Sequence, residues 1–164
     1  MISSRTLRGL ALPSMLAAVL ATGCLNTTEL PPEAQIETTT FATSLGVDLA
    51  HSTKLSSGTV IRDITIGTGV PAMAPDRVSV HYSGYFPSGA KFDENVAPTS
   101  PFQFPFGKDS VIAGFEDGVA GMQVGGRRQI IIPPSRGYGY NGIPGAIPGN
   151  TILVFNVELV ARNP

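Results

Sequence analysis

The chain has 164 residues, enough for one ordinary domain and a smaller attachment. Its formal net charge of −1, with no basic stripe, argues against nucleic-acid binding. Only 14% of the residues are charged, and 19 glycines with 14 prolines suit a turn-rich β protein better than a helical bundle.

At the N-terminus, Arg5 and Arg8 precede LALPSMLAAVLA, an apolar run of about a dozen residues that is too short to span a bilayer. A short positive region before such a run marks residues 1–23 as an export signal. The run ends in A-T-G-C, and Cys24 is the only cysteine, so no internal disulfide can form. Cys24 behind a small residue at that place resembles a bacterial lipobox, in which the thiol is acylated and becomes the new N-terminus. Ala21 stands where Leu or a similar residue is usual. An ordinary secretory signal with Cys24 as a stray thiol is the plain alternative. The expectation is a protein of the bacterial cell envelope, lipid-anchored at Cys24 and facing the periplasm or exterior. Loss of residues 1–23 would leave 9 basic and 12 acidic residues, a formal −3.

Residues 24–50 are rich in Thr, Pro, Glu and Ala (NTTELPPEAQIETTT), a composition that suits an extended, flexible tether. Phe41, Leu45, Val47 and Leu49 could pack on the edge of a domain that occupies residues 51–164.

From Thr59 onward the chain alternates. Val60, Ile64 and Ile66 share one phase before Gly67-Thr68-Gly69. In RVSVHYSG, Val78, Val80 and Tyr82 face one way and Ser79, His81 and Ser83 the other. Pro87-Ser88-Gly89 makes a turn and Lys91-Phe92-Asp93 follows. Phe102, Phe104 and Phe106 repeat at period two, with Phe104 and Phe106 read as plain core. The period changes only in DSVIAGFEDGVAGM, where Val111, Ile112, Phe115, Val119 and Met122 fall at helical spacing. Asp109 or Ser110 would cap this helix and Gly125 or Gly126 would end it. Its internal glycines make it weak in isolation, so packing must hold it. Arg127-Arg128 reads as a solvated strand end before a short strand at residues 130–132. The last strand covers 152–160, with Leu153, Phe155, Val157 and Leu159 on one face. The fold class is therefore α+β: a curled antiparallel sheet of about five strands wrapped around one short helix, with a single core.

Classical catalytic equipment is thin. GYGYNGIPGAIPGN begins as G-x-G-x-x-G, but a phosphate loop must open a helix, and Ile143-Pro144-Gly145 and Ile147-Pro148-Gly149 cannot begin one. The next regular pattern, TILVFNVELV, is a strand. His51 and His81 are too few for a metal set, and no G-x-S-x-G elbow occurs. Glu116 and Asp117 adjoin on the helix and point in different directions, as solvated acids do. An enzyme here would work without covalent or metal chemistry. What the chain does offer is aromatic side chains from separate elements: Tyr82, Phe92, Phe102, Phe115, Tyr138 and Phe155. Tyr138 sits between glycines in a loop, beside Ile143 and Ile147, like the rim of a pocket.

The motifs V-H-Y-x-G, F-D, V-I-x-G-x-E-x-G-V, G-Y-G and IPGNTILVFNVEL, spread over residues 56–160, strongly resemble the FKBP-type peptidyl-prolyl cis-trans isomerases. The resemblance implies an apolar cleft between sheet and helix that accepts a proline ring. Tyr82, Phe92, Phe102, Val111, Ile112 and Phe155 would line it, with Phe115 beneath the ring. The Tyr138 hydroxyl and the Ile112 N–H would donate to substrate carbonyls, and Ile143 and Ile147 would form an apolar lip. Asp93 would lie close to Tyr82, either to satisfy the phenol or to act directly. No cofactor and no metal is implied. Proline-containing polypeptides would be the clients and macrolides the inhibitors. Three positions depart from the family pattern. Phe115 stands where Trp is common, giving a roomier floor that should weaken macrolide binding; Ile143 stands where His is common; DENVAPTSP lacks the Arg many members carry after F-D. Longer members carry a helical dimerisation region, whereas here only the Thr/Pro-rich stretch precedes the domain, so a monomer is expected.

The same residues suit an isomerase assisting the folding of exported proteins, a non-catalytic module or chaperone holding proline segments, or a passive lipoprotein with a degenerate cleft. The intact aromatic set argues against the last. Contacts that bind ground and transition states alike do not separate the first two.

Overall fold

The structure is a computed structural model and describes residues 30–163; Cys24 and the export signal over residues 1–23 lie outside the described residues. Seven strands form one antiparallel sheet: β1 (Thr53–Lys54), β2 (Val60–Thr65), β3 (Arg77–Tyr85), β4 (Lys91–Asn95), β5 (Phe102–Pro105), β6 (Arg127–Ile132) and β7 (Leu153–Asn163). Their order is β1-β2-β6-β7-β3-β4, with β5 also paired to β3. Among the described residues one α-helix, α1 (Ala113–Val119), packs on the sheet through β6. The α+β class agrees with expectation. The sheet has seven strands rather than about five; β1, only two residues long, is too short to declare a period.

The central strands bury both faces. Ile130, Ile132, Leu153, Phe155, Val157 and Leu159 share a core with Phe115 and Val119 of α1. Ile131, Ile152 and Val154, with Val60, share a second core on the other face. Burial on both sides accounts for the unbroken apolar run of residues 130–132, which does not alternate.

The cover of that second face comes from the stretch expected to be a tether. Ile36 and Leu45 are buried against Val60, Ile131, Ile152 and Val154, carried on short 3-10 turns at Ile36–Thr38 and Thr43–Leu45. Backbone bonds support them: Ala42 N–H donates to Pro87 O at 2.8 Å, and the Asn150 side chain accepts from Ala34 N–H at 2.9 Å. The packed unit therefore begins at Pro32 and not at residue 51. An exposed row of Ile and Val would otherwise face water, and the few apolar residues of the N-terminal stretch suffice to cover it.

Helix α1 is shorter than its periodic pattern. Neither Asp109 nor Ser110 caps it: the N-cap is Ile112, with no side-chain cap, and Asp109 adopts a left-handed φ of 50°. It stops at Ala120, before Gly125. The internal glycines are explained by contact, since a Cβ at Gly114 would lie 2.4 Å from Ile132 Cγ2. The helix can approach the sheet only because that Cβ is absent. Arg128 is buried, not a solvated strand end. Its guanidinium donates to Gly118 O at 2.9 Å and Ala120 O at 3.0 Å, and holds Asp63 at 2.7 Å. The last carbonyls of a helix lack intrahelical donors and carry partial negative charge, so a cation is drawn there. Arg127 alone is solvated. Ile64 and Ile66, read in phase with buried Val60, are also exposed, since nothing among the described residues covers that end of the face.

Candidate functional site

Between α1, β3, β4 and β5 lies a cavity of about 180 Å³. Tyr82 comes from β3, Phe92 and Asp93 from β4, Phe102 from β5, Phe115 from α1 and Phe155 from β7. Ser110, Val111 and Ile112, just before α1, and Tyr138, from the loop after β6, complete the lining. At this size the cavity falls below the roughly 300–1,000 Å³ of sites for drug-sized ligands, and so suits a single ring-sized group.

The aromatic wall rests on one small residue. Gly84 pairs with Asp93 on one side and Phe155 on the other. A Cβ there would lie 2.7 Å from Phe92 Cζ and 2.8 Å from Phe155 Cε1. Its absence lets the two rings meet edge to face, with centroids 5.5 Å apart at 89°. Phe115, almost fully buried, forms the floor, 5.2 Å from Phe155 and 5.8 Å from Tyr82 in similar edge-to-face contacts. Phe102 closes the side 6.0 Å from Tyr82 and is over a third exposed.

Two acids thought to be solvated hold the surrounding loops. Asp117 accepts from the Arg136 guanidinium at 2.7 Å and 3.0 Å, tying the loop that carries Tyr138 to α1. Glu116 accepts the Gly107 N–H at 2.5 Å, tying the segment between β5 and α1. Gly139 N–H donates to Pro134 O at 2.8 Å and Asn150 N–H to Gly139 O at 2.9 Å, which fixes the backbone next to Tyr138.

The polar groups are few. The Tyr82 hydroxyl donates to Asp93 Oδ2 at 2.7 Å, and Asp93 Oδ1 accepts the Glu94 N–H at 2.8 Å. Burial, then the Asp93 hydrogen bond and charge, push the Tyr82 phenol well above the usual tyrosine range. Burial and then the charge of Asp93 also raise Tyr138. Both phenols are therefore held as protonated donors. Among the described residues the Tyr138 hydroxyl and the Ile112 N–H have no hydrogen-bond partner, and both belong to residues that line the cavity. Such an arrangement can hold a ring in an apolar floor and offer two donors to carbonyl oxygens at its edge.

Nine of the expected residues meet in this lining: Tyr82, Phe92, Asp93, Phe102, Val111, Ile112, Phe115, Tyr138 and Phe155. Ile143 and Ile147 do not. They pair with each other across a small hairpin, Ile143 N–H to Ile147 O at 2.8 Å and the reverse at 2.8 Å. This closure turns Ile147 into the core and leaves Ile143 on the hairpin surface. Ser110 is in the lining without having been anticipated; a lone serine before a helical pattern carries no mark of a cavity.

The model of the family "FKBP-type peptidyl-prolyl cis-trans isomerase" matches residues 69–160. FK506-binding protein 2 of Dictyostelium discoideum is 46% identical over 94 residues, covering 57% of this chain and 71% of that protein. An FK506-binding protein of Neisseria meningitidis serogroup B is 38% identical over 103 residues, covering 63% of this chain and 94% of that protein. Several fungal relatives are much longer, and the match spans only 25–28% of their length. The crystal structure of a peptidyl-prolyl cis-trans isomerase from Pseudomonas syringae pv. tomato superimposes with a TM-score of 0.63 at 34% identity, covering 70% of this chain and 82% of that one. The chain belongs to the FKBP-type peptidyl-prolyl cis-trans isomerases.

Proposed function

We propose that the aromatic cavity is where this isomerase binds a prolyl residue and twists the preceding peptide bond. The observation that carries the proposal is the conjunction of a ring-sized apolar cavity with two unengaged donors, the Tyr138 hydroxyl and the Ile112 N–H. The proline ring rests on Phe115 between Tyr82, Phe92, Phe102 and Phe155, with Val111 and Ile112 at its edge.

Rotation about an X–Pro bond must break amide resonance against a barrier of about 18–20 kcal/mol. The planar amide carries separated charge, which an apolar site solvates poorly; the twisted amide carries less. Binding the twisted state better than the planar one lowers the barrier without a nucleophile. Tyr138 and Ile112 hold the flanking carbonyls while the bond turns. Asp93 fixes the Tyr82 phenol in the wall by accepting a hydrogen bond from its hydroxyl, so Tyr82 acts as a positioned wall residue.

The substrates are proline-containing polypeptides. An export signal over residues 1–23 and a lipid anchor at Cys24 put the enzyme at the bacterial cell envelope, working as a monomer on exported chains that are folding. FK506-type macrolides are competing ligands, a reading supported by relatives that are named FK506-binding proteins. Protease-coupled isomerisation of a short Leu-Pro peptide tests the site. Tyr138→Phe with Phe92→Ala should remove most of the activity while circular dichroism stays unchanged. Full turnover in a folded double variant would move the site elsewhere, and tight peptide binding without turnover would make the cavity a holding site.

A further inference from the structure

The loop between β6 and β7 carries Tyr138, and both of its ends are held by a segment far away in the chain. Near its start, Glu33 Oε1 accepts the Ser135 N–H at 2.8 Å. Near its end, Asn150 Oδ1 accepts the Ala34 N–H at 2.9 Å and Asn150 Nδ2 donates to Pro32 O at 3.0 Å. These partners fix which way the Asn150 amide points, because its oxygen meets an N–H and its nitrogen a carbonyl.

Asn150 suits this place. Its φ is 53°, in the left-handed region that few residues other than glycine adopt and that Asn tolerates well. Its backbone N–H donates to Gly139 O at 2.9 Å, so one residue links the N-terminal segment to the neighbour of Tyr138. At the other end, Pro134 O accepts the N–H groups of Gly137 and Gly139, and the Glu33 bond falls on the adjoining Ser135. The segment is itself anchored, since Ile36 is buried with Ile131, Ile152 and Val154 behind the sheet. Tyr138 stands between these fixings with its side chain 36% exposed, so packing alone does not hold it. Arg136 is the loop's hold on α1, through Asp117; Glu33 and Asn150 are its hold on the N-terminal segment. Residues 32–34 lie outside the stretch 69–160 that matches the family.

We infer that Glu33 and Asn150 are positioning residues for the reaction: they strap the Tyr138 loop to the N-terminal segment and so set where the Tyr138 hydroxyl stands at the cavity. The inference rests on the reading of Tyr138 as a donor to a substrate carbonyl. Such a donor must be in place before the bond turns, since misplacement by about 1 Å can cost about a hundredfold in rate. The N-terminal stretch is then part of the working enzyme as well as cover for the sheet.

The test is a double-mutant cycle on the full chain, read by isomerisation of a short Leu-Pro peptide. Glu33→Ala with Asn150→Gly removes all three strap bonds, and glycine accepts the left-handed backbone that alanine would strain. This strap variant should keep its circular dichroism and lower kcat/KM at least about threefold, but no further than Tyr138→Phe does. Added to Tyr138→Phe, the same changes should cost less than about twofold, because a loop without the hydroxyl has no donor to misplace. The Gly139 and Asn150 amides should exchange with solvent about tenfold faster relative to the Ile131 amide. Should the strap variant not fold, Glu33→Ala alone, which gives up one exposed hydrogen bond, supplies the same cycle. Unchanged kcat/KM in the strap variant beside a loss in Tyr138→Phe would overturn the strap and leave the site standing. Equal losses in both backgrounds would mean that the strap supports the fold and not Tyr138, which also overturns it. Full turnover in Tyr138→Phe would remove the donor role, and the strap's role with it.

Discussion

Gly118 and Ile130 meet across the helix–sheet interface so closely that a Cβ on Gly118 would lie 2.4 Å from Ile130 Cγ2. In a solvated helix, Gly→Ala gains about 0.5–1 kcal/mol. Forcing a methyl into a packed interface costs about 1–3 kcal/mol, and here the contact is with a branched side chain that has no room to retreat. Gly118→Ala should therefore destabilise the protein by about 1–2 kcal/mol net, read as a lower urea midpoint. Combined with Ile130→Ala, the loss should be less than the sum of the two single losses. Additive losses would show that the clash is relieved by other means.

The N-terminal segment should matter to stability as a core element does. Leu45→Ala removes a buried side chain over Ile131 and Val154 and is expected to cost about 2–4 kcal/mol. Deleting residues 32–50 should lower the midpoint further, because Val60, Ile131, Ile152 and Val154 would then face water. An unchanged midpoint in the deletion would mean that this cover contributes nothing.

Acid should release a specific clamp. Asp76, 1% exposed, is paired with the Arg162 guanidinium and accepts the Met73 N–H at 2.9 Å; these bonds hold its carboxyl below the ordinary value of 3.8. A carboxyl with a depressed folded value contributes stability that is fully present above its unfolded value and is lost as pH falls through the folded one. Asp76→Asn should lower the urea midpoint at pH 7 and flatten its decline below about pH 4. Parallel pH curves for the two proteins would rule Asp76 out as the source of that acid sensitivity.

The two raised phenols make a prediction at the alkaline end. Ordinary tyrosine ionises near 10.0, but burial and Asp93 keep Tyr82 and Tyr138 protonated beyond it. Activity that depends on the Tyr138 proton should therefore fall with a midpoint above the ordinary tyrosine value. Asp93→Asn removes one cause of the elevation and should move phenolate absorbance to lower pH. A fall in kcat/KM with a midpoint near the ordinary tyrosine value would contradict the elevation of the Tyr138 phenol, and no alkaline fall at all would contradict its donor role.

Periodicity was readable wherever one face of an element is buried and the other is not. Val78 and Val80 of β3 and the helical spacing of Phe115 and Val119 belong to this group. The motifs around Tyr82, Phe92, Val111 and Tyr138 were legible for a similar reason: each is short and lies on one element, and nine of the residues they pointed to do share a cavity. Ile64 and Ile66 carry the same local pattern as Val60 and are nevertheless exposed, since alternation says that one face is apolar and not what lies against it.

What the sequence determined by itself was therefore local: the strand and helix phases, the class, the family and most of one cavity's lining. Only the tertiary structure decided that a Thr/Pro-rich stretch covers the back of the sheet, that Arg128 caps α1, that Ile147 turns inward and that the buried Gln129 amide holds Leu45 O. Those outcomes join residues far apart in the chain, 84 positions from Leu45 to Gln129 and 65 from Asp63 to Arg128. Backbone geometry writes a period into neighbouring residues, but no short pattern records which distant surface will exclude water from which.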